Sequence, residues 1–227
     1  MPTTAANKIP RFVTPEGSLI VQHSKSGLLM GNRGTLGQKH HSLPQPYAPG
    51  KPWITCLLKK DGVPLPKSEV YYTRLFFLDE VTAFAAGHRP CKSCQFQRYE
   101  LFKEMWAKTF GKKAPHFDET LHRDRCNEDG TKKTYFSRLA ELPSGVMVRL
   151  NEGDQPHLLL WGKLYPWTMT GYDQPMTVSD IIVNVLTPIS MVKMLKAGFP
   201  LLVNREETVH PSVLCPYNSA INMNFSV

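Results

Sequence analysis

"FFLDEVTAFAAGHRPCKSCQ", residues 76–95, decides how the rest of the chain is read. It opens as the end of an apolar strand, and Asp79 then stands where a helix N-cap would accept from free backbone N–H groups. An alanine-rich interior follows, and Gly87 suits the left-handed residue just past a helix C-terminus. Pro90 keeps that helix from continuing. Directly after it, Cys91 and Cys94 show Cys-x-x-Cys spacing at the mouth of a second helix, predicted from about Cys94. Such a turn delivers two thiolates from one short loop, as tetrahedral zinc requires, and its backbone N–H groups help hold thiolate charge. A thioredoxin-type redox pair would follow a buried strand and open a helix inside a βαβ unit. Here a short helix, a glycine and Arg-Pro come first, so metal chemistry leads redox chemistry.

Working outward, "WITCLLKK" (53–60) and "EVYYTRLFFL" (69–78) have strand composition and "DGVPLP" turns the chain between them. "SLIVQH" (18–23) reads as a further short strand. "SGLLMGNRGTLG", with glycines at 27, 31, 34 and 37, reads as a loop. It matches neither the phosphate-binding loop nor the dinucleotide fingerprint. Residues 38–52, with four prolines, read as an extended surface connection. On the other side, "CQFQRYELFKEMWAKTFG" places Phe96, Tyr99, Phe102, Met105, Trp106 and Phe110 at helical spacing, a core stripe. "LHRDRCNEDGTKK" (121–133) is charged, with a turn at Asp129-Gly130. Strand-like runs follow at 144–150, 156–163 and 181–188, and a last helix takes Thr187 as N-cap, Pro188 as first residue and Gly198 as stop. The expected organisation is a flexible arm (1–17), a basic metal-binding region (18–113), a small β-rich region (114–202) and an irregular tail (203–227).

Composition narrows the function classes. Of 227 residues 41% are apolar, enough for an ordinary core, and no run approaches the roughly 18 apolar residues of a membrane helix. The first residues lack the apolar stretch of a secretory signal, and five cysteines, an odd number, argue against a disulfide framework. A reducing, cytoplasmic setting is expected. The formal charge of +8 is uneven: residues 1–113 carry 17 Lys+Arg against 7 Asp+Glu, and the remainder 10 against 12. A basic half of this kind points to a polyanion partner, most often nucleic acid, with DNA ahead of RNA.

Residues 76–95 resemble the second half of the Ada-type metal-binding domain of methyl-phosphotriester DNA repair proteins. In that family a short helix ends in Ala-Ala-Gly, followed by an aromatic or His-like residue, Arg-Pro-Cys, two residues and Cys; Ala85, Ala86, Gly87, Arg89, Pro90, Cys91 and Cys94 match position by position. The resemblance is firm over about twenty residues and loose over 53–110. It implies an α+β fold with an Ada-like zinc knuckle, followed here by a small antiparallel β-rich unit and a C-terminal helix. It also implies two further ligands upstream in Cys-x-x-x-Cys or His-x-x-x-Cys spacing. Cys56 lies at about the expected distance, but the position four later is Lys60. For the remaining ligand, His122 and Cys126 of "LHRDRC" show the spacing, and His122 is preferred because imidazole completes the set without a fourth thiolate charge. The expected site is therefore Zn2+ on Cys56, Cys91, Cys94 and His122.

Arg89, Lys92 and Arg98 flank the cysteines, Lys59 and Lys60 arrive on the neighbouring strand, and Arg33 sits among glycines; all six are candidate phosphate donors. The leading expectation is a zinc-stabilised nucleic-acid-binding protein. Two alternatives stand beside it. One is a nucleic-acid-modifying enzyme, either with Cys56 as the methyl acceptor that the resemblance implies, or a nuclease, glycosylase or lyase with His122, His40 or His41 as acid/base and Arg33 or Arg125 holding phosphate. The other is an interaction module using Trp161 and Trp167 of "LLLWGKLYPWTMTGY" (158–172), a stretch that reads better as core.

Overall fold

A computed structural model of the chain describes residues 10–21, 27–34, 36, 51–60, 63–64, 72–113, 115–203 and 213–214. In chain order these form β1 (Arg11–Val13), β2 (Leu19–Val21), β3 (Leu29–Asn32), β4 (Ile54–Cys56), β5 (Lys59–Lys60), β6 (Val63–Pro64) and β7 (Leu75–Phe77). Then come α1 (Glu80–Ala85), β8 (Arg89–Pro90), α2 (Phe96–Phe110), α3 (Phe117–Arg125), β9 (Tyr135–Arg138), β10 (Val146–Arg149) and β11 (His157–Leu160). The chain continues through β12 (Lys163–Pro166), β13 (Ile182–Val185), α4 (Ile189–Lys196), β14 (Leu201–Leu202) and β15 (Val213–Leu214). The class is α+β. One sheet is mixed, in the order β2-β1-β7-β3-β4-β8; the other is antiparallel, in the order β12-β11-β10-β13-β9. Two two-stranded pairs, β5-β6 and β14-β15, accompany them.

Helix α1 joins the two halves. All six of its residues are buried, the condition of a helix packed on every side. Val81, Phe84 and Ala85 belong to the core cluster of the antiparallel sheet, whereas Ala83 packs with Val13, Leu75 and Phe77 of the mixed sheet. A helix so enclosed must pair its polar groups internally. Asp79 caps it, accepting from Thr82 N at 2.8 Å and Thr82 Oγ1 at 2.7 Å, and its second oxygen accepts from the Tyr172 hydroxyl at 2.8 Å. Trp167 Nε1 donates to Thr82 Oγ1 at 3.0 Å. Glu80 is held by Arg98 Nε at 2.8 Å and by Leu202 N at 3.1 Å. The aromatic-rich hairpin thus supplies core and anchoring bonds through Trp167, while Trp161, at φ 50°, forms the β11–β12 turn with Gly162 and is half-exposed.

Several expectations change. The glycine-rich stretch is not all loop, because Leu29–Asn32 form β3 between β7 and β4. Gly31 is needed for close approach rather than for a turn: a Cβ there would run into the Ile54 carbonyl and the Phe77 ring. The charged segment from 121 begins as helix, residues 121–125 completing α3, which buries Phe117 and Leu121, and the turn at Asp129-Gly130 follows. Thr187 does not cap α4. Its Oγ1 accepts from Met147 N at 2.9 Å, while Pro188 takes the cap position and Asp124 of α3 accepts from Ser190 N at 3.2 Å. The boundary expected at 113/114 is crossed by one continuous core that includes Phe102 and Trp106 of α2 together with Leu158 and Val183. The arm before residue 10 and most of the tail lie outside the described residues. Among the described residues no helix is long and apolar enough to cross a membrane.

Candidate metal centre

The termination of α1 sets the site. Gly87, at φ +85°, donates to Phe84 O at 2.9 Å, and His88 N donates to Ala83 O at 2.9 Å, the paired bonds of a Schellman end. This reversal sends the chain into β8, which pairs in parallel with β4 through Ile54↔Arg89 and Thr55↔Pro90. Two further bonds, Arg89 N to Trp53 O at 3.0 Å and Cys91 N to Thr55 O at 2.9 Å, fix the register. Cys91 is thereby drawn up beside Cys56, the last residue of β4. Gln95 closes the turn: its N donates to Cys91 O at 3.0 Å and its Nε2 to Thr55 O at 2.9 Å, and α2 begins at the next residue.

The three Sγ atoms of Cys56, Cys91 and Cys94 lie within 4.8 Å of one another, the one such group among the described residues. Two sulfurs on one tetrahedral zinc lie about 3.8 Å apart, from a Zn–S bond of about 2.3 Å. Cys56 and Cys91 are buried and Cys94 is half-buried. The electrostatics suit a cation. Cys91 accepts hydrogen bonds from the thiols of Cys56 and Cys94 and from the backbone N–H groups of Cys94 and Ser93, which together pull its pKa far down against burial. Cys56 is pushed up by its hydrogen bonds to Cys91 and Cys94 and by burial. Cys94 is drawn down by Cys56, but Cys91 and burial outweigh that and leave it raised. Without a cation, then, the cluster favours one thiolate shared between two thiols. A divalent ion would replace the shared protons and let all three sulfurs ionise. The donor set fits a soft or borderline divalent metal.

His122 is not brought to the thiols. It lies on α3, and its Nδ1 accepts from Arg125 Nη2 at 3.0 Å. Burial and the positive charges of Arg125 and Lys51 lower its pKa. Cys126, half-buried, pairs across a β-bridge with Lys132 and is likewise outside the cluster.

The expected phosphate donors divide sharply. Lys59 and Lys92 are exposed, with Lys92 Nζ 5.9 Å from the centre of the Tyr99 ring. Lys60 lies on β5, but its side chain is outside the described residues, as are His40, His41 and Cys215. Three of the expected donors, Arg33, Arg89 and Arg98, are instead buried and engaged inside the protein. Arg33, with 0% exposure, donates to His88 Nε2 at 3.2 Å and Gly17 O at 2.8 Å and stacks 3.9 Å from the centre of Trp53. Arg89 grips both carboxylate oxygens of Asp118, at 2.9 and 2.8 Å. Arg98 pairs with Glu80 and reaches the Pro200 carbonyl. Arg125 is buried too, bonded to Gly87 O at 3.0 Å and Lys51 O at 2.7 Å and placed 3.9 Å from the centre of the Trp53 ring. Guanidinium forks match carboxylates and carbonyls and stack on indole, so they enter a core that would reject a lysine.

One residue beside the thiols escaped the sequence reading. Phe96, assigned by spacing to the core stripe, is 57% exposed at the first turn of α2. It lies six residues before the buried Phe102 and ten before Trp106, which puts it on a different face of α2, and that was the available signal. No protein-family model, curated protein or solved structure matches the chain. The resemblance to the Ada-type domain therefore stands on residues 76–95 themselves.

Proposed function

We propose that this is a zinc-stabilised nucleic-acid-binding protein whose Ada-like knuckle presents Lys59, Lys92 and Phe96 to the ligand. The observation that carries the reading is the gathering of three cysteine sulfurs where a strand end meets a helix start, with these exposed side chains around them. Bound zinc supplies charge neutralisation and a fixed angle between β4 and the 91–95 turn; chemistry on a substrate is not required of it. Lys59 and Lys92 offer mobile ammonium groups suited to phosphate oxygens, a contact blind to sequence and weakened by salt. An exposed ring beside them favours stacking on an unpaired base, as single-stranded segments allow. Cys56, Cys91 and Cys94 are the protein ligands, and the fourth position is left to solvent or to a further donor.

Elemental analysis of freshly purified protein should find about one zinc per chain. Fluorescence anisotropy with labelled single- and double-stranded DNA at several salt concentrations should then show binding that weakens with salt. Reversing both charges, Lys59→Glu with Lys92→Glu, should reduce the slope of log K against log salt by about 1.4 to 1.8, for two phosphate contacts. Absence of binding at low salt in zinc-loaded protein overturns the reading, as does a slope unchanged by the double variant.

A further inference from the structure

A cleft of about 640 Å³ opens where the β1–β2 hairpin meets the antiparallel sheet, and none of the three thiols lines it. Its walls include Glu16, Lys132, Phe136, Arg149, Asn151 and Asn184. Three features separate it from ordinary surface relief. Lys132 is half-buried, and its amine donates to the carbonyl of Ala85, a residue with no exposed surface at the end of α1. Asn184 keeps its Oδ1 buried without a hydrogen-bond partner among the described residues. Phe136 stands 73% exposed on the adjoining strand, directly opposite Asn184 in register. An orphan acceptor and a bare ring on one wall would be matched by a ligand with a hydroxyl donor and a C–H face.

The surroundings of Lys132 work against its charge. Among the described residues no carboxylate is in ion-pair contact with it. Burial and the guanidiniums of Arg33 and Arg125 bring its pKa down to about 7, against Glu16 and Cys126, which act the other way. Here half the amines are neutral near pH 7 and carry a free lone pair, the property of lysines set beside other cations in carbonyl chemistry.

We infer that this cleft is a second site, independent of the thiol cluster, in which Lys132 forms a Schiff base with a small hydroxylated aldehyde or ketone. The neutral Nζ attacks the carbonyl carbon, and the carbonyl π pair moves to oxygen, which takes a proton. A second proton lets that oxygen leave as water while the nitrogen pair closes the C=N bond and nitrogen sheds its protons. The sum is amine plus carbonyl giving imine plus water, with no change in oxidation state. Asn184 accepts from the ligand hydroxyl, and the Phe136 ring packs on its C–H face.

The test uses the full-length, zinc-loaded protein with glycolaldehyde and cyanoborohydride at pH 7, followed by peptide mapping. At that pH an amine of pKa about 7 is half neutral, whereas an ordinary lysine is neutral roughly once in 2,500 molecules. Even after loss from burial and lower basicity, Lys132 should be alkylated at least about ten-fold faster than the exposed Lys59, Lys103 and Lys193. Its rate should saturate with glycolaldehyde concentration, and Asn184→Ala should raise the half-saturating concentration without changing the other lysines. Lys132→Met should abolish the fast adduct while melting cooperatively at or above the wild-type temperature. Labelling of Lys132 no faster than that of the exposed lysines overturns the inference, a result that needs only wild-type protein. Fast but strictly linear labelling across a panel of hydroxy-aldehydes, keto acids and aldoses overturns the binding site.

Discussion

Around the three thiols, Lys59, Lys92 and Phe96 stand in solvent, whereas around Trp53 the guanidiniums of Arg33 and Arg125 are shut inside the protein. Arg125 apart, these charges come from the same basic amino-terminal half, and in the sequence they look alike. The difference lies in the head group. A guanidinium is weakly hydrated, planar and able to satisfy its donors on carbonyls, carboxylates and aromatic faces, so burial costs it little. An ammonium is a more strongly hydrated point charge, and Lys59 and Lys92 stay where water reaches them. Net charge therefore overstates the positive charge that reaches the surface.

The largest effect should come from breaking the inner region. Arg89→Met would leave the Asp118 carboxylate buried and unpaired, and denaturant melts should show a loss of about 3–5 kcal/mol. Adding Asp118→Leu should recover most of it; a single variant costing under about 1 kcal/mol would break the account of a paired interior. Next in size, if zinc occupies the proposed site, Cys91→Ser should lower zinc content and cost about 3–4 kcal/mol at metal concentrations 100 to 1,000 times the dissociation constant. The same loss should appear in wild-type protein treated with chelator.

A pH titration sharpens the contrast further. His88 is fully buried, accepts from Arg33 Nε, and has its pKa pushed well below the usual value by burial and by Arg33 and Arg125. The folded state keeps it neutral while the unfolded chain takes up a proton. Its share of stability is therefore intact above about pH 6.5 and falls below that by up to about 1.4 kcal/mol per pH unit. His88→Gln retains an acceptor for Arg33 and should flatten the wild-type curve; an unchanged slope would show that His88 titrates freely. The smallest effect on stability belongs to the outer region. Phe96→Ala should alter unfolding free energy by no more than about 0.5 kcal/mol while weakening single-stranded DNA binding by about 1–3 kcal/mol, read by anisotropy.

Local punctuation was legible from the residues. Asp79, Gly87 and Pro90 mark the start, end and exit of α1, and Gly198, at φ +94°, ends α4 as expected. Cys91 and Cys94 come together through their Cys-x-x-Cys spacing, and Cys56, which the resemblance points to, lies beside them. What escaped was everything settled by distant contacts. The helical state of 117–125 depends on Phe117 and Leu121 finding α2 and the core, and its charged surface gave no clean period. Thr187 looked like a cap because local rules saw Pro188 but not Met147 N, forty residues upstream. Arg33, Arg89 and Arg98 gave no sign of their inward course, because His88, Asp118 and Glu80 lie 55, 29 and 18 residues away.

The central position of α1 has a consequence for how the chain is made. As synthesis proceeds from the amino terminus, β3, β4 and the cysteine turn leave the ribosome well before β10, β11 and β13, the strands that cover the other side of the helix. Until those strands emerge, Phe84 has Phe102 of α2 against it but neither it nor Val81 has the sheet's cover, and a nascent chain halted near residue 113 would display them to the first chaperone or neighbouring polypeptide it meets. Ribosome-stalled intermediates of that length should thus be captured by holdases, and the knuckle should reach its final rigidity only when the last strands arrive.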